Sequence, residues 1–233
     1  MKERPILFSA AMVLALLANR KTQTRRIIKP QPSEGFLARG VVSVVPQWPI
    51  QDGVRWFMAD GCSELVKSPY GQPGDRLIVK EAAWMWCERR PNGKTKTGRD
   101  KWHFAPMREA QVFYCADHPT KPQLDVVSPD TGNQWGWRKK IGRFLPRWAS
   151  RLTLEIIKVR VERVRDISEK DAIAEGLTPG LFGGTYRAPG FALDRDARGA
   201  YEALWIKING QESYDRNDWV WAVDFKRIAN EQK

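Results

Sequence analysis

The residues best suited to chemistry in this chain lie in one heptapeptide, Arg20-Lys21-Thr22-Gln23-Thr24-Arg25-Arg26. Four of its seven residues are cationic, two carry hydroxyls and none is apolar. A threonine hydroxyl is a weak nucleophile until a base takes its proton. Lys21, three residues before Thr24, could be that base if its pKa is depressed, and the neighbouring arginines push it down. A carboxylate would complete the set, either accepting a proton or holding the lysine in place. Glu175 is the candidate. It falls in the last turn of a well-signalled helix, where a negative charge opposes the helix dipole. A residue placed against its local preference invites a functional explanation. Lys21, Thr24 and Glu175 are therefore the candidate catalytic residues, with Arg20, Arg25 and Arg26 beside them to hold an anion. The competing readings are a solvated basic turn and an exposed, solubilising glutamate.

Other site chemistries find little support. The chain has two histidines, too few to offer many acid/base pairs. No P-loop, GxGxxG, HExxH or GxSxG pattern occurs. Cys87, His103, Cys115 and His118 contain a single tight ligand pair, Cys115-x-x-His118, whereas a structural zinc site usually has two. Core cysteines are the expected account, and neither a metal nor another cofactor is expected.

A second basic zone lies between Cys87 and Gly142. Lys94-Thr95-Lys96-Thr97-Gly98-Arg99 and Arg138-Lys139-Lys140 are flanked or interleaved by Trp84, Trp86, Trp102, Trp135 and Trp137. Cations neutralise phosphates and aromatic rings stack on bases, the combination that single-stranded nucleic acid needs. Arg138, Lys139, Lys140, Arg147 and Trp148 join Arg20, Arg25 and Arg26 as candidate nucleic-acid-binding residues. The alternative is a loose insertion whose tryptophans close a small satellite core.

These residues need elements to position them. A strand over Pro5–Phe8 and an apolar helix from about Ala10 to Asn19 lead into the heptapeptide, which turns into a strand at Ile27-Ile28. Gly40–Val45 and Val54–Ala59 read as a hairpin. The turn-rich run Pro69–Arg76 feeds a strand, Leu77–Glu81, after which Glu81 and Trp84 could line a pocket. Gln111–Ala116 is the one clear strand of the Trp-rich zone. Leu152–Val164 is a long strand whose alternation slips near Ile157-Lys158, predicting a bulge, a common device for closing a barrel. Ser168, answered by Asp171, caps a helix that Gly176 stops. Asp194–Asn209 is an amphipathic helix with Ala197, Tyr201, Leu204, Trp205 and Ile208 on one stripe. Trp219–Phe225 is a closing strand, and the polar tail Asn230–Lys233 is expected to fray.

Composition bounds the partners. The chain has 233 residues, enough for one large domain or one domain with insertions. Lysine and arginine exceed the acids by 39 to 27, a net charge of +12, which suggests a polyanionic partner. Three cysteines without a close pair fit a reducing cytoplasm rather than a disulfide framework. The run Ile6–Ala18 follows Lys2 and Arg4 as a secretory signal would. Pro5 and Ser9 break it, however, and Asn19-Arg20-Lys21 is no small-x-small cleavage site. No stretch is long and apolar enough for a membrane span.

Taken in order, these segments resemble the ASCH family of the PUA-like superfamily. The resemblance rests on the opening strand and helix, Arg20-Lys21-Thr22-Gln23-Thr24-Arg25, the Gly74-Asp75-x-Leu77 turn and strand, Asp166-Ile167-Ser168-Glu169-x-Asp171-Ala172-x-Ala174-Glu175-Gly176, and the final Val223-Asp224-Phe225. Pro5-Ile6-Leu7-Phe8-Ser9 and Pro146-Arg147-Trp148-Ala149-Ser150-Arg151 are similar to the long ASCH form of bacteriophages and prophages. The likeness is strong over 5–28, 69–84 and 146–176. It implies an α+β fold: a single domain over 1–233, a PUA-like mixed β-barrel with flanking helices and large insertions at about 34–66 and 87–142. It also implies RNA, single-stranded nucleic acid or a modified nucleoside as partner. A small bacterial ASCH member hydrolyses the amide of N4-acetylcytidine. Lys21 and Thr24 fall directly on its lysine and threonine, and Glu175 on its glutamate through the Ser168–Thr178 segment. Other members are ribonucleases or RNA binders. The first expectation is a nucleic-acid- or modified-nucleobase-binding protein with a basic cleft around Lys21, Thr24 and Glu175. The alternatives are an amidohydrolase of N4-acylated cytosine nucleosides and a ribonuclease.

Overall fold

The structure is a computed structural model that describes residues 1–31, 57–58, 61–62, 67–122, 125–127, 134–181, 183–191 and 193–229. The expected 40–59 hairpin lies outside these residues except for Phe57 and Met58, and so does the tail 230–233. Strand β1 (Glu3–Leu7) leads through helix α1 (Ala10–Leu17) to β2 (Gln23–Ile27). The two-residue strands β3 (Phe57–Met58) and β4 (Gly61–Cys62) pair with each other. There follow β5 (Arg76–Lys80), β6 (Ala83–Lys94), β7 (Asp100–Pro106), β8 (Val112–Tyr114), β9 (Asp125–Val127) and β10 (Gln134–Lys140). Strand β11 (Thr153–Arg163) precedes α2 (Glu169–Ala174). The short strands β12 (Thr178–Pro179), β13 (Tyr186–Arg187) and β14 (Leu193–Asp194) then lead to α3 (Ala197–Asn209), α4 (Gln211–Asp215) and β15 (Trp219–Ile228). The fold is α+β with strands predominating, and no helix is long and apolar enough to cross a membrane.

Contacts gather the chain into two compact units, one of residues 1–5, 15–77 and 152–233, the other of residues 6–14 and 78–151. In the first, β11 and β15 run antiparallel, and β2 pairs with the far side of β15. Val220 to Val223 and Phe225 on β15 and Leu154 and Ile156 on β11 are buried, which makes these strands the centre of the core. The slip read near Ile157 is a real bulge, with register shifting between Ile156 and Lys158. The five-stranded sheet has the order β1-β5-β11-β15-β2 and is open, so the barrel closure expected from sequence does not form among the described residues.

α1 ends where Asn19 takes a left-handed conformation (φ 55°), a helix stop that asparagine tolerates. The amides of Arg20 and Lys21 then turn back onto the Ala15 carbonyl. α2 is capped as its sequence requires, with the Asp171 amide donating to Ser168 Oγ at 3.1 Å. α3 starts at Ala197 rather than at the expected Asp194 because Asp196 caps it, accepting from the Gly199 amide at 2.7 Å. Ala197, Tyr201, Leu204 and Trp205 are buried as expected, whereas Ile208 is exposed.

The second unit corrects the expectation of a loose insertion with one strand. β6, β7, β8, β9 and β10 form an antiparallel sheet of order β7-β6-β10-β9, with β8 also on β6. Ala83, Met85 and Cys87 alternate on β6 and pack with Leu145 and Ala149 as its core. The alternation passes into Arg89-Arg90-Pro91-Asn92-Gly93, a turn-like composition at an exposed strand end. That composition conceals the strand's length, and the register slips there, between Pro91 and Lys94.

Candidate active site

The heptapeptide and the C-terminus of α2 meet. Lys21 and Glu175 pair as an isolated antiparallel bridge, and the Thr22 amide donates to the Ala174 carbonyl at 2.9 Å. The Lys21 ammonium lies 2.6 Å from Glu175 Oε2 and 2.8 Å from the Glu175 carbonyl oxygen. Both residues are buried. This contact accounts for the glutamate's placement: the lysine cation neutralises it and also caps the helix end, where unpaired carbonyls favour positive charge. Gly176 makes the approach possible. Its φ is +97°, and a Cβ there would lie 2.9 Å from Lys21 Cβ and 3.0 Å from Ala15 Cβ. Burial lowers the Lys21 pKa below its ordinary 10.5; Glu175 partly offsets that, and Arg26 and Arg25 add to the lowering.

Along β2 the pleat turns Gln23 and Arg25 toward a group of acids. Arg25 pairs with Glu162 at 2.8 Å, Asp171 at 3.2 Å and Glu175 Oε1 at 3.7 Å. Gln23 donates to Asp171 at 3.1 Å and also to Asp224. Arg160 bridges Glu162, Asp171 and Asp224. Burial works against the Asp171 charge, but the Gln23 hydrogen bond and the Arg160 and Arg25 cations outweigh it and hold its pKa below 3.8. Three cations thus face four carboxylates: Lys21, Arg25 and Arg160 against Glu162, Asp171, Glu175 and Asp224. Within this network the charges of Lys21 and Arg25 are met by carboxylates.

The other expected site residues divide. Arg20 donates to the Gly176 carbonyl at 3.1 Å, the Leu177 carbonyl at 3.5 Å and Thr178 Oγ1 at 3.0 Å, so it braces the helix end. Thr24 is buried opposite Val223 on β15. Alternation places it on the face of β2 shared with Arg26, away from Gln23 and Arg25. Among the described residues its hydroxyl has no hydrogen bond, and none joins it to Lys21 or Glu175.

Sequence reading missed Glu162, Arg160, Asp224 and Tyr201. Glu162 and Arg160 share one face of β11, and Asp224 sits opposite Gln23 in register; same-face alternation was the signal available. Tyr201 lies under Arg25, whose guanidinium carbon is 5.9 Å from the ring centroid. Burial, followed by the charge of Glu175, pushes the Tyr201 pKa well above 10.0. Glu175 Oε1 and the Tyr201 hydroxyl are both buried without a hydrogen-bond partner.

In the second unit the pleat splits Arg138-Lys139-Lys140. Arg138 lies 4.0 Å over Phe104 and Lys140 donates to the Phe104 carbonyl at 2.9 Å, on the core face with Cys87. Lys139 points to the opposite face, 5.8 Å over Trp84. Trp86 and Phe113 both pack edge-on against Trp137, at 5.3 and 4.9 Å, and all three rings are half-buried. Glu81 is buried, and Arg151 grips both its oxygens at 2.9 and 3.0 Å. Arg147 and Trp148 are exposed. Among the described residues no cluster of His, Cys, Asp and Glu could hold a metal ion. No protein-family model, curated protein or solved structure matches the chain.

Proposed function

We propose that this chain is a PUA-like protein of the ASCH type that binds a modified nucleobase and hydrolyses the amide of N4-acylated cytosine nucleosides. The order of its motifs supports a PUA-like framework carrying insertions at about 34–66 and 87–142. The observation that carries the activity is the buried 2.6 Å contact between Lys21 and Glu175. A desolvated lysine with its pKa lowered gives up its proton more readily than an ordinary lysine, and so can serve as a base. Arg20 and Arg25 are engaged inside the fold, which favours a small uncharged group over a phosphate at this place.

The steps balance on these residues. Thr24 Oγ1 stands on the other face of β2 from the Lys21–Glu175 pair, so the reaction requires the bound state to bring the two together. The Lys21 amine, as the free base, then takes the proton of Thr24 Oγ1 as that oxygen bonds to the acyl carbon. The same proton passes to N4 as the carbon–nitrogen bond breaks, releasing the cytosine nucleoside and leaving an ester on Thr24. Water then attacks the ester, giving its proton to Lys21. Lys21 returns that proton to Thr24 Oγ1, and the carboxylic acid departs. Glu175 orients the amine throughout and stabilises its ammonium form.

Incubation with N4-acetylcytidine, with cytidine release followed by chromatography, tests this. Lys21→Ala and Thr24→Ala should each reduce kcat/KM by about 10²–10⁴-fold. The sign of the pH dependence follows from Lys21. Its active form is unprotonated and its pKa is lowered, so activity should rise with pH and level off below 10.5. Full turnover by Lys21→Ala would overturn the assignment. Cleavage of labelled RNA that survives Thr24→Ala would point to a nuclease with other groups.

A further inference from the structure

The second unit carries most of the chain's excess charge. Residues 6–14 and 78–151 hold fifteen Lys and Arg against seven Asp and Glu, +8 of the total +12, and leave 24 against 20 for the rest. From Gln134 to Leu154 there are six cations and no acid. Within that run two single 3₁₀ turns, Gly142–Phe144 and Arg147–Ala149, follow one another.

These turns are fixed from below. Leu145 and Ala149 are buried in the unit's core. Lys80 donates its ammonium to the Leu145 carbonyl, and Ser150 Oγ donates to the Val79 carbonyl at 2.8 Å. Gly142 lies so close that a Cβ would sit 2.9 Å from the Lys80 carbonyl oxygen and 3.1 Å from Leu7 Cδ2. Yet the segment turns large apolar groups outward: Phe144 is 65% exposed, Ile141 54% and Trp148 37%. Neither the Phe144 nor the Trp148 ring stacks on another ring or a cation among the described residues. Arg143 and Arg147 alternate with them and are exposed. Arg147 is close enough to Lys80 to lower its pKa further, after burial.

We propose that the surface of residues 141–148 binds single-stranded nucleic acid, with Phe144 and Trp148 stacking on bases and Arg143 and Arg147 on the phosphates. Two rings on an anchored backbone lose little entropy on binding, and every base offers a face to stack on. Single strands are favoured because their bases are open to stacking, whereas duplex bases are not. A membrane is disfavoured: two single turns studded with arginines lack the continuous apolar face that an interfacial helix provides. The inference does not rest on the amide-hydrolase reading, since it involves none of Lys21, Thr24 and Glu175.

The test is fluorescence anisotropy of the full chain with labelled oligouridine RNA, oligothymidine DNA and a duplex of equal length, between about 50 and 200 mM salt. Single strands of one or both sugars should bind more tightly than duplex. Phe144→Ala and Trp148→Ala should each weaken binding about tenfold. Arg143→Gln should lower the slope of log affinity against log salt by about one. If Trp148→Ala shifts the melting curve, Phe144→Ser, at the more exposed ring, decides the matter. Wild-type affinity in the aromatic variants overturns the proposal. So does binding to phosphatidylserine vesicles with none to oligonucleotides.

Discussion

At the scale of single residues, Lys21 and Glu175 illustrate how a buried ion pair is asymmetric in its energetics. Together they satisfy each other; alone, Lys21 is a charge stranded in a dry interior, and Glu175 keeps only Arg25, 3.7 Å away. Removing one partner of such a pair costs about 3–5 kcal/mol, whereas replacing both by apolar residues of similar size can be neutral. Lys21→Met should therefore destabilise the fold by about 3–5 kcal/mol in urea denaturation, and Lys21→Met/Glu175→Leu by clearly less. Additive losses would mean that the two charges do not depend on each other in solution. The pairing was only partly legible in the sequence. Glu175 stood out because it opposes its helix dipole, and Lys21 because cations surround it. Nothing in the order of residues, however, reports that a helix end and a strand entry 154 positions apart will touch. Thr24 was legible as a type but not as a direction: its place in the β2 alternation sends it to the other face from Gln23 and Arg25.

At the scale of elements, α2 was the most readable part of the chain because its signals are local. Ser168 and Asp171 cap it, and Gly176 ends it, as their order predicts. The strands of the second unit were the least readable. Their alternation is real on β6, but charged and turn-forming residues occupy the exposed face and the strand end. Gly176 has a second role that local rules do not reveal, because its missing Cβ is the space through which Lys21 reaches Glu175. Gly176→Ala adds strain at φ +97° to a 2.9 Å clash with Lys21 Cβ, so more than the usual cost of about 1–3 kcal/mol is expected. It should also cut N4-acetylcytidine turnover beyond what its melting temperature explains, because the lysine must move. Gly74 has a similar φ of +88° but no atom within 4 Å of its would-be Cβ. Gly74→Ala therefore serves as the control for strain alone.

At the scale of the whole molecule, burial and pairing are distributed unevenly, and stability should follow that distribution. β11 and β15 are paired on both sides and contain the buried run Val220–Val223 with Phe225, Leu154 and Ile156. β7 is an edge strand whose first residues, Asp100 to His103, are exposed. Local opening requires little where few apolar contacts break, and much where a central strand must leave its neighbours. Native-state hydrogen exchange should thus find the amides of Val220, Ala222 and Val223 among the slowest in the chain, opening only with global unfolding. Those of Lys101 and Trp102 should exchange through small local openings and be far faster. The two sets should also differ in denaturant dependence: the β15 amides should track the full m-value of unfolding, and the β7 amides should show almost none. Equal protection in β7 and β15 would refute a core centred on the β11–β15 pair. It would also remove the rigid support on which β2, paired along β15 from Val220 to Asp224, holds Thr24 and Arg25 in register.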